Sequence, residues 1–180
     1  MHRLFVALRP PVSARASLRA CMGGVPGARW QDNEQLHLTV RFVGEVTTPC
    51  AEDIAAALSG VAAPAPEVTI TGVGTFDRRG RVDTIWARVE PTPPLLALHR
   101  KVDQALTRAG IAPDQRRFTP HITLARSGRA GADPVALSRW MEANAAMALP
   151  PFTATHLLLY ESRLGREGAS YEAVARWPLG

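Results

Sequence analysis

Two tetrapeptides in this chain share one pattern: His37-Leu38-Thr39-Val40 and His121-Ile122-Thr123-Leu124 each read His, apolar, Thr, apolar. Extended backbone sends successive side chains to opposite faces. His37 and Thr39 therefore share one face of a strand while Leu38 and Val40 pack on the other, and the same holds for His121 and Thr123. The fold must supply two strands that are each greasy on one side and chemically armed on the other. Brought together across a cleft, they present two imidazoles and two hydroxyls, an acid–base pair with two hydrogen-bond donors. A metal centre needs further His, Cys or carboxylate ligands at ligand spacing. Nothing beside either motif supplies them, so neither a metal nor a cofactor is expected.

The rest of the chain reads as an alternation of strands and helices. Strands are predicted over residues 3–8, 35–43, 68–76, 84–89, 118–125, 152–161 and 170–177. In the second of these, Leu36, Leu38, Val40 and Phe42 alternate against His37, Thr39, Arg41 and Val43, and Gly44 closes it. Helices are predicted from Pro11 to Met22, from Thr47 or Thr48 to Leu58, from Pro94 to Arg108 and from Pro134 to Met147. Thr47 or Thr48 is the expected cap of the second, with Glu52 and Asp53 favouring its early turns. A loop over Gly165–Gly168 separates the last two strands. The element order repeats: strand, helix, motif strand, helix, strand, then the same again plus a closing strand. The motif histidines are offset by 121 − 37 = 84 residues, and the strands beginning at Val68 and Phe152 by 152 − 68 = 84. Two similar lobes about a pseudo-twofold axis, each bringing one motif strand to a shared cleft, are expected within a single domain spanning residues 1–180.

Composition enters at three points. Hydrophobic residues make up 46% of the 180 positions, enough for a substantial core. The net charge of +5 suits a polyanion or phosphate ester, although Lys101 is the only lysine and this arginine bias can reflect codon composition. Cys21 and Cys50 form neither metal spacing nor a disulfide framework and read as free thiols. The apolar stretch Leu4–Leu8 is too short for a signal peptide or a membrane span, so a cytoplasmic protein without a membrane partner is expected.

With these residues in view, the chain resembles the 2H phosphoesterase superfamily, and within it the RNA 2′,3′-cyclic phosphodiesterase (2′–5′ RNA ligase-like) family. The likeness covers nearly the full length: Arg3–Ala7, Gln35–Val46, Gly74-Thr75-Phe76, Ile85-Trp86-Ala87, Arg117–Arg126, Leu158–Ser162 and Tyr171 onward through Pro178-Leu179. Asp77 departs from it, standing where the family often has proline. The resemblance implies an α+β fold, bilobal, with two antiparallel sheets around a central cleft and helices on the outside. It implies metal-independent hydrolysis of RNA 2′,3′-cyclic phosphate ends, tRNA fragments being one source, to 2′-phosphomonoesters, with reversible 2′–5′ joining as a related capacity. His37 is then the proton donor, His121 the acceptor, and Thr39 and Thr123 phosphate ligands.

The residue types suit that chemistry. Attacking water must lose a proton and the leaving ribose oxygen must gain one, and histidine titrates near neutrality. Charge developing on the phosphoryl oxygens calls for fixed donors, which the threonine hydroxyls provide. Arg41 shares the His37 face by alternation and is a candidate for phosphate or RNA backbone. Strict alternation places Arg126 opposite His121; it reaches the cleft only if the strand ends or bulges near Ala125. Phe5, Trp30 and Tyr171 are candidates for stacking a base. His2, His99 and His156 lack the motif and read as ordinary residues. No Walker or dinucleotide-binding glycine pattern is present, which leaves ATP-driven ligation without support. The expected enzyme is a monomer. Two other readings remain: a 2H esterase for a small nucleotide cyclic phosphate, and a non-catalytic RNA- or nucleotide-binding module.

Overall fold

The computed structural model describes residues 1–165 and 168–180. The expected Gly165–Gly168 loop falls on residues 166–167, outside the described ones. In chain order the elements are β1 (His2–Leu8), α1 (Val12–Ala20), β2 (Ala28–Trp30), β3 (Leu38–Val46), α2 (Thr48–Ser59), β4 (Glu67–Val68), β5 (Ile70–Arg78), β6 (Arg81–Val89), α3 (Pro93–Arg108), β7 (His121–Ser127), α4 (Pro134–Asn144), β8 (Phe152–Thr153), β9 (His156–Gly165) and β10 (Gly168–Pro178).

The strands pair antiparallel in the order β10-β9-β1-β3-β7-β6-β5, with β2 also on β7, and a separate β4-β8 pair. The two expected sheets are the two four-stranded halves of this array, β10-β9-β1-β3 and β7-β6-β5 with β2. They join at one residue pair, Leu38 with Ile122. Val68 and Phe152 are likewise register partners in the β4-β8 pair. Both pairs carry the same separation, 122 − 38 = 84 and 152 − 68 = 84. A local twofold axis between antiparallel strands sets each residue against its own equivalent, so these contacts mark where the axis passes.

Strand β1 reads as an unbroken apolar run because both its faces are covered. Leu4, Val6 and Leu8 enter the main core, while Phe5 and Ala7 form a second cluster with Tyr160 on the other face. Helix α3 buries Leu95, Leu98, Val102, Ala105 and Leu106, the stripe its spacing predicts. It packs on α2 and β3, and α4 packs on β5. No helix among the described residues is long and apolar enough to cross a membrane.

Several boundaries moved: the expected strands 68–76 and 152–161 each divide in two, β6 begins at Arg81 and β7 at His121, and β2 adds a strand that was not expected. Strand β3 starts at Leu38 because Asp32 Oδ1 accepts from the amides of Glu34 and Gln35, at 2.8 and 2.9 Å, turning the chain before it joins the sheet. It runs through Gly44 to Val46 because β1 pairs with it as far as His2. Thr47 occupies the N-cap position of α2 without a side-chain cap bond, and no acidic residue stands in the first turn; the Thr48 hydroxyl instead meets His2 Nε2 at 3.1 Å. Helix α4 is capped by Asp133, which accepts from the Ala136 amide, and ends at Asn144. There the chain peels away so that Met147 and Leu149 bond the edge of β5.

Candidate functional site

The Leu38–Ile122 pair fixes the site. Both side chains are fully buried on the helix side. Extending that register one residue each way sets His37 across from Thr123, and Thr39 across from His121. All four side chains then stand on the opposite face, in a block two residues wide. The histidines occupy one diagonal, with backbone positions about 7–8 Å apart by sheet geometry, and imidazole reach is long enough for one anion to touch both rings.

Each ring is held in the same way. His37 Nδ1 donates to the carbonyl of Gln35 at 2.6 Å, and His121 Nδ1 donates to that of Thr119 at 2.8 Å. The carbonyl fixes the tautomer, so Nε2 is the nitrogen left for proton exchange. Burial pushes the His37 imidazole down from its usual range to about 4; the bond to Gln35 opposes the shift, and the nearby His121 and Arg126 charges add to it. His121 is also pushed down, by burial first and then by Arg126. These couplings place His37, His121 and Arg126 within electrostatic reach of one another.

Aromatic rings wall both histidines. Phe5 lies 4.7 Å and Tyr171 5.1 Å from His37, ring centre to ring centre, the latter edge-on. Phe76 lies 4.8 Å and Trp86 6.0 Å from His121. Phe5 is 3% exposed and packed between His37 and Tyr160, so it supports the imidazole and offers no face to a base. Trp30 is corrected too: paired with Ala125 in register, it points to the helix side, 5.4 Å from Trp140. Tyr171 remains at the cleft.

The two arginine candidates part company at two bulges. On β1, Val6 pairs with Arg41 and Ala7 with Thr39, so β3 carries an extra residue at Val40. On β6, Ile85 pairs with Ala125 and Trp86 with Thr123, so β7 carries one at Leu124. These positions are again equivalent (124 − 40 = 84). A bulge inverts the alternation beyond it. Arg41 is thereby moved off the His37 face and buried beside Val6, 6% exposed, where it lines the cavity beside His121. Its Nε meets Asp103 at 2.7 Å and its Nη2 the Ala112 carbonyl at 2.6 Å. Arg126 is moved the other way, onto the cleft face. The sequence condition for Arg126, a bulge near Ala125, is met.

Sequence reasoning missed Phe42, Phe76, Trp86 and Phe118. Phe42 arrives at the cleft by the Val40 bulge. Trp86 lies over Gly74, where a Cβ would fall 2.2 Å from the indole; that glycine spacing was the available signal. Beside His121 opens a cavity of about 350 Å³ lined by Thr39, Phe42, Phe76, Phe118, Arg116 and Arg117 among others. His99 belongs to its wall: it stacks on Phe118 at 4.1 Å and donates to the Val40 carbonyl that the bulge leaves free. Among the described residues no group of three or more His, Cys, Asp or Glu is arranged to hold a metal ion.

Comparison with known proteins follows the same lines. Residues 10–166 match the family model described as the 2′–5′ RNA ligase superfamily. A protein of Geobacillus stearothermophilus named RNA 2′,3′-cyclic phosphodiesterase is 31% identical over 86% of this chain, which spans only about half (49%) of that relative. One of the same name from Aeropyrum pernix is 30% identical over 84% of this chain and 85% of its own length. The crystal structure of Escherichia coli LigT with 3′-AMP superposes with a TM-score of 0.76 over 99% of this chain and 98% of that one, at 23% identity, a likeness of fold.

Proposed function

Because this chain belongs to the 2′–5′ RNA ligase superfamily, we propose that it is a phosphoesterase that hydrolyses RNA 2′,3′-cyclic phosphate ends to 2′-phosphomonoesters, with His37 and His121 moving the protons. The supporting observation is the shared cleft face of the two motifs, each imidazole held through Nδ1 with Nε2 free. The relatives' common name supplies the substrate class.

In this reading the water oxygen bonds to phosphorus and gives its proton to His121 Nε2. The bond from phosphorus to O3′ breaks, and O3′ takes its proton from His37 Nε2. The two proton transfers together need no metal ion. Thr39 and Thr123 donate to the phosphoryl oxygens, and Arg126 offers its guanidinium to the charge that builds there. Replacing water by a ribose hydroxyl gives the joining reaction by the same path. Each chain completes one cleft, so residues 1–180 act as one bilobal unit and a monomer suffices. The cavity beside His121, with its three phenylalanines, has room for a nucleoside.

Substitution decides the matter. His37→Ala and His121→Ala should each lower turnover of a 2′,3′-cyclic oligonucleotide by at least ~10²-fold with the circular-dichroism spectrum unchanged. Full activity in either variant refutes the assignment. EDTA should leave the rate as it is; strong inhibition points to a metallohydrolase. Tight binding of the phosphate end without any product points to a binding module.

A further inference from the structure

The cleft face continues past Arg126 into an arginine surface that the two-histidine reaction leaves unused. Strand β2 sets Arg29 directly opposite Arg126 in register, and the β5–β6 hairpin sets Arg78 directly opposite Arg81. The irregularity between Phe76 and Asp77 places its extra residue, Asp83, on β6, so β5 alternates through it and Arg78 stays on the Phe76 face. Arg79 sits at the hairpin tip, and Arg129 closes the same surface from the loop after β7, lining with Arg78, Arg79 and Arg81 a hollow in which Asp83 is the one carboxylate. All six arginines are exposed. None makes an ion pair within 4 Å among the described residues.

Three features here oppose folding stability. Like charges set directly across a ladder repel, and this occurs twice. Arg79 has a φ of +53°, the only non-glycine with positive φ among the described residues. A two-residue hairpin turn of this kind ordinarily takes Asn or Asp before its glycine. Local strain and repulsion concentrated at one surface point to a ligand that relieves them. The ligand must be anionic and extended: the strand rise puts Arg126 about 10 Å beyond Thr123 and the hairpin tip about 20 Å beyond it.

Resting on the phosphoesterase reading above, we infer that this surface binds the phosphodiester backbone of the RNA strand that ends in the cyclic phosphate. The substrate is then an RNA chain and not a free mononucleotide. Wild-type protein should bind a fluorescein-labelled decanucleotide ending in a 2′-phosphate, followed by anisotropy between 50 and 200 mM salt. Triple substitution R78Q/R81Q/R129Q should weaken binding at least tenfold at low salt. It should also flatten the slope of log affinity against log salt by about 2, at roughly 0.7 per single-strand phosphate contact. Its kcat/KM on a mononucleotide 2′,3′-cyclic phosphate should stay within twofold of wild type.

Arg79→Gly should weaken decanucleotide binding while raising Tm, and it carries the same comparison if the triple variant fails to fold. Unchanged affinity and salt slope in these variants, or equal wild-type affinity for the mononucleotide and the decanucleotide, overturns the inference. Failure of wild type to turn over both the mononucleotide 2′,3′-cyclic phosphate and a 2′,3′-cyclic oligonucleotide defeats the proposed function instead, and the anisotropy still decides the surface.

Discussion

Acidification should destabilise this protein through His37, by an amount the structure sets. The free chain takes up a proton on this imidazole near pH 6.5, whereas burial holds the folded group down to about 4. Between those values the unfolded state binds more protons than the folded one, so stability falls as pH falls. The contribution is intact above 6.5, is lost progressively between 6.5 and 4, and is constant below 4. At 1.36 kcal/mol per pH unit, the window costs about 3 kcal/mol, a large share of the roughly 5–15 kcal/mol that holds a domain together.

Urea unfolding at pH 7.5, 6, 5 and 4 reads this directly when wild type is compared with His37→Asn. Asparagine keeps a nitrogen donor near the Gln35 carbonyl but cannot titrate. The difference in unfolding free energy between the two proteins should therefore shift by up to about 3 kcal/mol across the window, while the pH-independent cost of the substitution cancels. Curves that stay parallel within about 0.5 kcal/mol, or a His37 ring resonance that titrates near 6.5 in the free protein, refute the reasoning. The same shift bears on catalysis. An acid of pKa about 4 is protonated in about one molecule in a thousand at pH 7, and a bound phosphate must offset about 4 kcal/mol for His37 to hold its proton. Inorganic phosphate should accordingly raise the His37 midpoint; no movement at saturation means the anion does not lie between the rings.

Other outcomes follow from the packing. Arg41→Ala should destabilise by about 2–4 kcal/mol in urea unfolding, because Asp103 and Asp114 lose a buried partner. It should also loosen the 112–119 loop that walls the cavity, seen as faster amide exchange there. Gly74→Ala drives a Cβ into the Trp86 indole, with an expected loss of about 1–3 kcal/mol, an altered tryptophan fluorescence and reduced turnover through the displaced His121 wall. Arg126→Gln should raise the pKa of both imidazoles by removing a neighbouring positive charge, read as a rise in both ring-titration midpoints.

The amino-acid order alone determined the four helices, the long strands but not β2 or the division of 68–76 and 152–161, the 84-residue offset, and the shared face of each His-Thr pair. The elements and the shared faces are local: two-residue alternation and 3.6-residue periodicity report burial directly, and each His-Thr pair precedes the irregularity in its strand. Tertiary structure decided what lies beyond Val40 and Leu124. A bulge is a property of two strands in register, since one residue of β1 must face two of β3, and no residue type at Val40 or Leu124 announces it. Alternation therefore put Arg41 on the His37 face and Arg126 on the other, and pairing exchanged those faces, with Arg41 left in the wall of the cavity beside His121. Trp30 and Phe5 changed roles for the same reason: whether an aromatic ring meets solvent or another ring depends on the neighbours that the sheet order assembles. The site's acidity was equally out of reach of sequence, because it arises from burial and from charges that come together only when residues 84 apart meet across the axis.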